Sequence, residues 1–122
     1  MIRFVHCVKR RPDISVEDFR KYWSSQKFAD MLAELGAMTE AVRVKKTLTL
    51  LIDMNLELMR QRGSDEPYDG ILEAWWDNAR VFGDDHPNAE RMEIFLQEME
   101  DYQQQFIDFS QSRRFFTEWD SD

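Results

Sequence analysis

The chain has 122 residues and a formal charge of −8, from 24 acidic and 16 basic side chains. That balance is a poor partner for phosphate backbones and argues against general nucleic-acid binding, and no apolar run approaches the ~20 residues of a membrane span. Leu, Ile, Val and Phe supply 30 of the 122 residues, above the ~20 % below which a charged chain stays disordered, so a single folded domain over 1–122 is expected.

The lone cysteine, Cys7, has no internal disulfide partner. The N-terminus runs straight into Ile2-Arg3-Phe4-Val5-His6 without a signal-peptide pattern, and together these features point to a cytoplasmic protein. Two histidines and one cysteine are too few for a Cys/His zinc site. None of the four glycines opens a phosphate-cradling loop. No metal and no cofactor is expected.

Residues 2–9 alternate as a strand, with Ile2, Phe4, His6 and Val8 on one face. Pro12 ends it, and Ser15, followed three residues later by Asp18, predicts a helix start. The apolar spacing from Phe19 to Leu35 predicts one helix from Val16 to about Gly36, with Gly36 as its stop and a weak stretch at Ser24 to Lys27. Val42 to Ile52 is a second strand, in which Lys46 intrudes on an apolar side. Asp53 to Arg62 is a short helix stopped at Gly63, and Tyr68 to Asp77 a third strand. A helical turn at Ala79–Phe82 interrupts the following loop. Asn88 is expected to cap a last helix, Ala89 to about Ser110, whose stripe runs from Met92 to Phe109. Arg114 to Trp119 is a short final strand and 120–122 a frayed tail.

The order β-α-β-(short α)-β-α-β predicts an α+β, ferredoxin-like βαββαβ fold with an antiparallel four-stranded sheet and helices on one face. Bulky side chains fall on both faces of that sheet: Phe4, Trp75 or Trp76, Phe115 or Phe116, and Trp119. The uncovered face predicts a homodimer whose sheets face each other.

Several local patterns agree with this order. They are Lys9-Arg10-Arg11-Pro12 before Ser15, Glu17-Asp18-Phe19-Arg20-Lys21-Tyr22-Trp23, Leu58-Met59-Arg60-Gln61-Arg62-Gly63, Pro67-Tyr68-Asp69-Gly70, Glu73-Ala74-Trp75-Trp76-Asp77, Phe106-Ile107-Asp108, and Ser112 to Thr117. In sequence and spacing they resemble the EthD-like family of the dimeric α/β-barrel superfamily from Ile2 to Glu118. The resemblance implies a cofactor-independent enzyme on a small hydrophobic or aromatic compound, with dehydration, decarboxylation, cyclisation and, among relatives, oxidation as the chemistries. It also implies a departure. Where family members carry a histidine in Tyr-Trp-x-x-x-His, this chain has Lys27, and an acid found before the family's Phe-x-Asp segment is replaced by Tyr102.

The candidate acid/base residues are His6, Glu73, Tyr22, Lys27 and Tyr102, and the candidate ligand-binding residues are Phe4, Trp75 and Trp76. His6 alternates into an apolar layer, where an imidazole can shuttle protons or stay a neutral core group. A buried Glu73 would be a base beside it; paired with Lys46 or Arg43 it would be structural. Tyr22 and Tyr102 lie on inward stripes and can orient a phenol or carbonyl or simply pack. Lys27 is either a desolvated base or an exposed helical lysine. One indole of Trp75-Trp76 belongs to the core and the other is free to stack on a flat ligand. His86 is expected at the surface, and Cys7 inert. Two readings follow: the cofactor-free enzyme, and a non-catalytic small-molecule-binding or orphan dimeric protein that lacks the family histidine.

Overall fold

The computed structural model describes residues 1–118; Trp119 and the tail expected to fray lie outside them. Four strands, β1 (Ile2–Val8), β2 (Arg43–Leu48), β3 (Gly70–Trp76) and β4 (Arg113–Glu118), form one antiparallel sheet in the order β2-β3-β1-β4. With α1 (Val16–Trp23), α2 (Gln26–Thr39), α3 (Asp53–Arg62), a 3₁₀ turn at Arg80–Phe82 and α4 (Ala89–Gln103), this is the ferredoxin-like arrangement.

The register sets the two faces. Phe4 lies opposite Ala74 and Phe116, and His6 opposite Leu72 and Arg114. Directly opposed residues share a face, so Ile2, Phe4, His6 and Val8 point to the layer of α1, α2 and α4. Arg3, Val5 and Cys7 point to the other face, with Glu73, Trp75 and Phe115. The core lies between sheet and helices and includes Val8, Leu72, Ala74 and Trp76. Its centre is aromatic. Tyr22 stacks on Phe106 with ring centroids 5.1 Å apart, Phe28 and Tyr102 close on Phe106 at 5.5 and 5.6 Å, and Trp23 packs on Phe28 at 5.7 Å.

The single helix expected over 16–36 is two. Ser25 starts a new one: its Oγ accepts from the Phe28 N–H at 3.1 Å and donates to the Tyr22 carbonyl at 2.8 Å. Ser15 caps α1 as expected, accepting from Asp18 N–H at 3.0 Å. Gly36 is not a stop. It lies within α2, where a Cβ would stand 3.1 Å from Val44, so its bareness lets the helix approach β2. The helix ends instead at Glu40, in the left-handed region with φ 57°. Asn88 does not cap α4 with its side chain; the amide donates to the Met38 carbonyl at the end of α2, 3.1 Å away. The last helix is shorter than its stripe suggests. It stops at Gln103, after which Phe106 and Ile107 turn into the core and Ile107 bridges to Arg10, while Phe109 is exposed. Lys46, the intruder in β2, reaches the Trp23 carbonyl at the end of α1 and lies 5.3 Å over the Phe28 ring; burial pushes its pKa down.

Gly70, the first residue of β3, sits directly under Trp23. A Cβ there would come within 2.8 Å of the indole ring, and the Trp23 side chain is fully buried. We expect Gly70→Ala to destabilise the fold by about 1–3 kcal/mol through overpacking, read as a lower urea midpoint at unchanged m-value. An unchanged midpoint would show that the indole can move aside.

Candidate functional site

The residues proposed from sequence separate into three places. His6 and Phe4 line a cavity of about 90 Å³ between the sheet and helices α2 and α4. Its walls are apolar side chains, among them Leu32, Val44, Leu72 and Met99, and its polar lining residues are His6, Gln103, Glu100, Arg114 and Glu73. Tyr22, Lys27 and Tyr102 gather elsewhere, around the α1–α2 break. The Tyr102 hydroxyl lies 2.7 Å from Ser25 Oγ, the Lys27 ammonium sits 5.2 Å over the Tyr102 ring, and the Tyr22 and Tyr102 rings meet edge to face at 6.3 Å. This cluster holds two helices together and does not line the cavity. Lys27 itself is exposed.

Glu73 and Trp75 are on the far face of the sheet. The Glu73 carboxylate pairs with Arg3 at 3.4 Å, and Arg43 lies 5.5 Å over the Trp75 indole. Glu73 borders the same cavity as His6, but its carboxylate is turned away from the imidazole. Antiparallel register places His6 opposite Leu72, and Glu73 one residue further on projects through the other side. Arg3, rather than Lys46 or Arg43, is the partner. Trp76 shares the face of His6 but lies at its end: its indole N–H donates to Thr39 Oγ1 at 3.0 Å, and its ring packs on Phe82 at 5.2 Å. It is a core residue, not a stacking platform. Cys7 is on the far face, its thiol pKa pushed up by burial and the nearby Glu73 charge.

His86 is less exposed than expected of a loop residue. Its side chain is 11 % exposed, its Nδ1 accepts from the Asn88 N–H at 3.2 Å, and its Nε2 lies 3.7 Å from the Glu40 carboxylate. It locks the loop before α4 onto the end of α2.

Two groups in the cavity were not legible beforehand. Gln103, 6 % exposed, follows Met99 by one helical turn, and Arg114 enters through its cross-strand pairing with His6. Arg114 donates to Glu100 at 2.8 Å, and this ion pair stands at the solvent side of the cavity with its side chains 61 % and 37 % exposed. His6 is 5 % exposed and tilts against Phe4 with centroids 6.2 Å apart. Neither the His6 imidazole nor the Gln103 amide makes a side-chain hydrogen bond to another of the described residues. Two buried polar side chains thus border a small apolar hollow with unused hydrogen-bonding capacity.

Burial, reinforced by the Arg114 charge and opposed by Glu100, lowers the His6 pKa from 6.5 to about 4. The imidazole is neutral at pH 7, with one donor nitrogen and one acceptor. Among the described residues no group of three or more His, Cys, Asp or Glu side chains is placed to hold a metal ion, and no helix is long and apolar enough to cross a membrane.

No family model and no curated protein matches the chain. A solved structure does. It is a dimeric protein of unknown function and ferredoxin-like fold from Bacteroides fragilis, with a TM-score of 0.54 and 16 % identity over 97 % of this chain and 95 % of that one. The chain has a ferredoxin-like fold. At this identity the likeness reaches no further than the fold.

The neutral His6 makes stability depend on pH. Between pH 6.5 and about 4 an unfolded chain protonates this imidazole and the folded one does not. The contribution is therefore complete above pH 6.5 and is lost as pH falls through about 4, with about 3 kcal/mol at stake. His6→Leu should flatten the stability–pH curve across that window by an amount of this order, measured by urea denaturation. Curves that remain parallel for the two proteins would place the titration elsewhere.

Proposed function

We propose that this protein binds a small, largely apolar molecule carrying one hydrogen-bonding group, in the cavity beside His6, and that it does so as a homodimer. The observation that carries this is the pair of buried, unpartnered polar side chains, His6 and Gln103, at one apolar cavity. Ligand pockets are typically apolar with a few placed polar groups. A ligand's own donor or acceptor would take up the hydrogen bonding that these two side chains do not use within the protein. The volume of about 90 Å³ corresponds to about three waters at ~30 Å³ each. It suits a compact ligand, or the end of a larger one whose remainder passes the Arg114–Glu100 pair.

The cofactor-independent enzyme of EthD-like type is the second reading, and one observation favours it. The neutral His6 imidazole can accept a proton, and Arg114, its cross-strand partner, can hold the enolate or phenolate that results. Against it, a conjugate acid with a pKa of about 4 makes a weak base, Glu73 is on the other face, and Lys27 and Tyr102 are engaged outside the cavity. The binding reading is therefore preferred. The dimer is supported by the apolar and aromatic side chains of the uncovered sheet face, Val5, Ile71 and Phe115 among them, and by the dimeric state of the Bacteroides fragilis protein. The sequence patterns that resemble the EthD-like family agree with a dimeric α/β barrel.

Isothermal titration with phenol and with isobutyrate tests the site. One of them should bind saturably, and His6→Ala or Gln103→Leu should weaken it about tenfold, the equivalent of one hydrogen bond at ~1.4 kcal/mol. No binding of either at millimolar concentration would refute a cavity of this chemistry. Turnover of a bound compound that falls ~100-fold in His6→Ala would instead establish the enzyme.

A further inference from the structure

The chain between β2 and the middle of α3 leaves its apolar side chains uncovered. Leu50, Leu51, Ile52 and Leu56 are 46–67 % exposed, and α3 buries none of its residues. The backbone beneath them is nonetheless fixed. The Thr49 N–H donates to the Asp69 carbonyl at 3.0 Å, and the Asn55 amide donates to the Leu50 carbonyl at 2.6 Å. With Val16 and Phe19 of α1 these four side chains line a groove of about 360 Å³, within the ~300–1,000 Å³ range of small-molecule sites. None of its lining residues belongs to the cavity beside His6.

Six charged side chains join this lining: Lys9, Arg10, Arg20, Asp53, Glu66 and Asp69. The Lys9 ammonium takes up two of the acids, at 3.4 Å from Glu66 and 3.7 Å from Asp69. Asp69 also accepts from the Arg10 backbone N–H at 2.7 Å. Asp53 lies in the first turn of α3, where the helix end itself favours an acid. Neither arginine pairs with a carboxylate among the described residues. Main-chain carbonyls pin both instead: Arg10 donates through Nη1 to Ile14, and Arg20 through Nη2 to Thr49 at 2.7 Å. The remaining N–H groups of Arg20 make no hydrogen bond to another described residue. The lining is neutral as a whole, so what it offers an anion is this arrangement and not a net field: an open guanidinium fork held still beside apolar side chains.

We propose that this groove binds a small carboxylate with an apolar body, its oxygens received by the N–H groups of Arg20 that Thr49 leaves free and its hydrocarbon laid on Leu51, Ile52 and Leu56. A planar fork matches a carboxylate oxygen for oxygen, and a fork already held by a main-chain bond loses less freedom on binding. An inorganic anion would make no use of the apolar wall. A phosphate of nearly two charges would carry more than one guanidinium answers, with Asp53 and Glu66 in the same lining. This second site is separate from the one proposed beside His6 and does not rest on it.

Isothermal titration with hexanoate and with hexanol, which shares its chain but not its charge, tests this. Hexanoate should bind saturably at millimolar concentration, and hexanol at least about tenfold more weakly. Leu51→Asp sets a second carboxylate against the ligand at a side chain 67 % exposed in its own chain; it should abolish hexanoate binding at an unchanged melting temperature. Arg20→Gln should weaken hexanoate about tenfold and leave hexanol unchanged, and His6→Ala should change neither. The Leu51 variant and the hexanol comparison decide the matter even where loss of the Arg20–Thr49 bond lowers stability. No saturable binding of hexanoate, or equal binding of the two compounds, overturns the proposal. So does hexanoate binding that survives Leu51→Asp and is lost in His6→Ala, which would give the ligand to the other cavity.

Discussion

β1 is paired on both sides, and an antiparallel strand so held cannot slide by one residue without turning every side chain to the other face. Its register against β3 and β4 therefore decides the chemistry of the molecule. With Phe4 between Ala74 and Phe116, and His6 between Leu72 and Arg114, one polar ring enters the apolar layer beneath the helices. The same register sends Arg3 and the Glu73 carboxylate to the other side, where they pair with each other. The neutral imidazole and the cavity it borders are consequences of that pairing. So is the split of the sheet into a helix-covered face holding the candidate site and an open face with basic charge and aromatic rings.

The strands were legible because their alternation is strong. Ile2, Phe4, His6 and Val8 are separated by residues of a different kind, and the fold followed from the order of such segments. What the alternation of β3 leaves open is which of two bulky faces, Ile71-Glu73-Trp75 or Leu72-Ala74-Trp76, meets the helices. Only cross-strand register settles that, and a single chain does not display it. The pairing of His6 with Glu73 failed for this reason, and Arg114 was missed for the same one. Gln103 was within reach of a helical-face argument, since it lies one turn beyond Met99, but a polar residue at the end of an apolar stripe reads as the end of the stripe.

The helix boundaries erred through competition between local and tertiary signals. Ser24-Ser25 is a break because Ser25 finds both the Phe28 N–H and the Tyr22 carbonyl. The apolar stripe on either side of it is continuous and suggests one helix. Gly36 stays helical because the close approach of Val44 needs a residue without a side chain, a requirement that looks like a stop signal in sequence. The stripe of α4 runs on past Gln103 because Phe106 and Ile107 are buried, though not by a helix.

The central claim is that His6 and Gln103 present unused hydrogen bonds to a ligand in the cavity under the sheet. Proton–nitrogen correlation spectra of the His6 ring and the Gln103 side-chain amide, recorded during titration with phenol and with isobutyrate, test it most directly. One compound should shift both sets of signals together, saturably, while the backbone amide signal of Tyr22 and the indole signal of Trp75 stay in place. Signals of His6 and Gln103 that remain fixed while those of Tyr22 or Trp75 move would put the site elsewhere and contradict it.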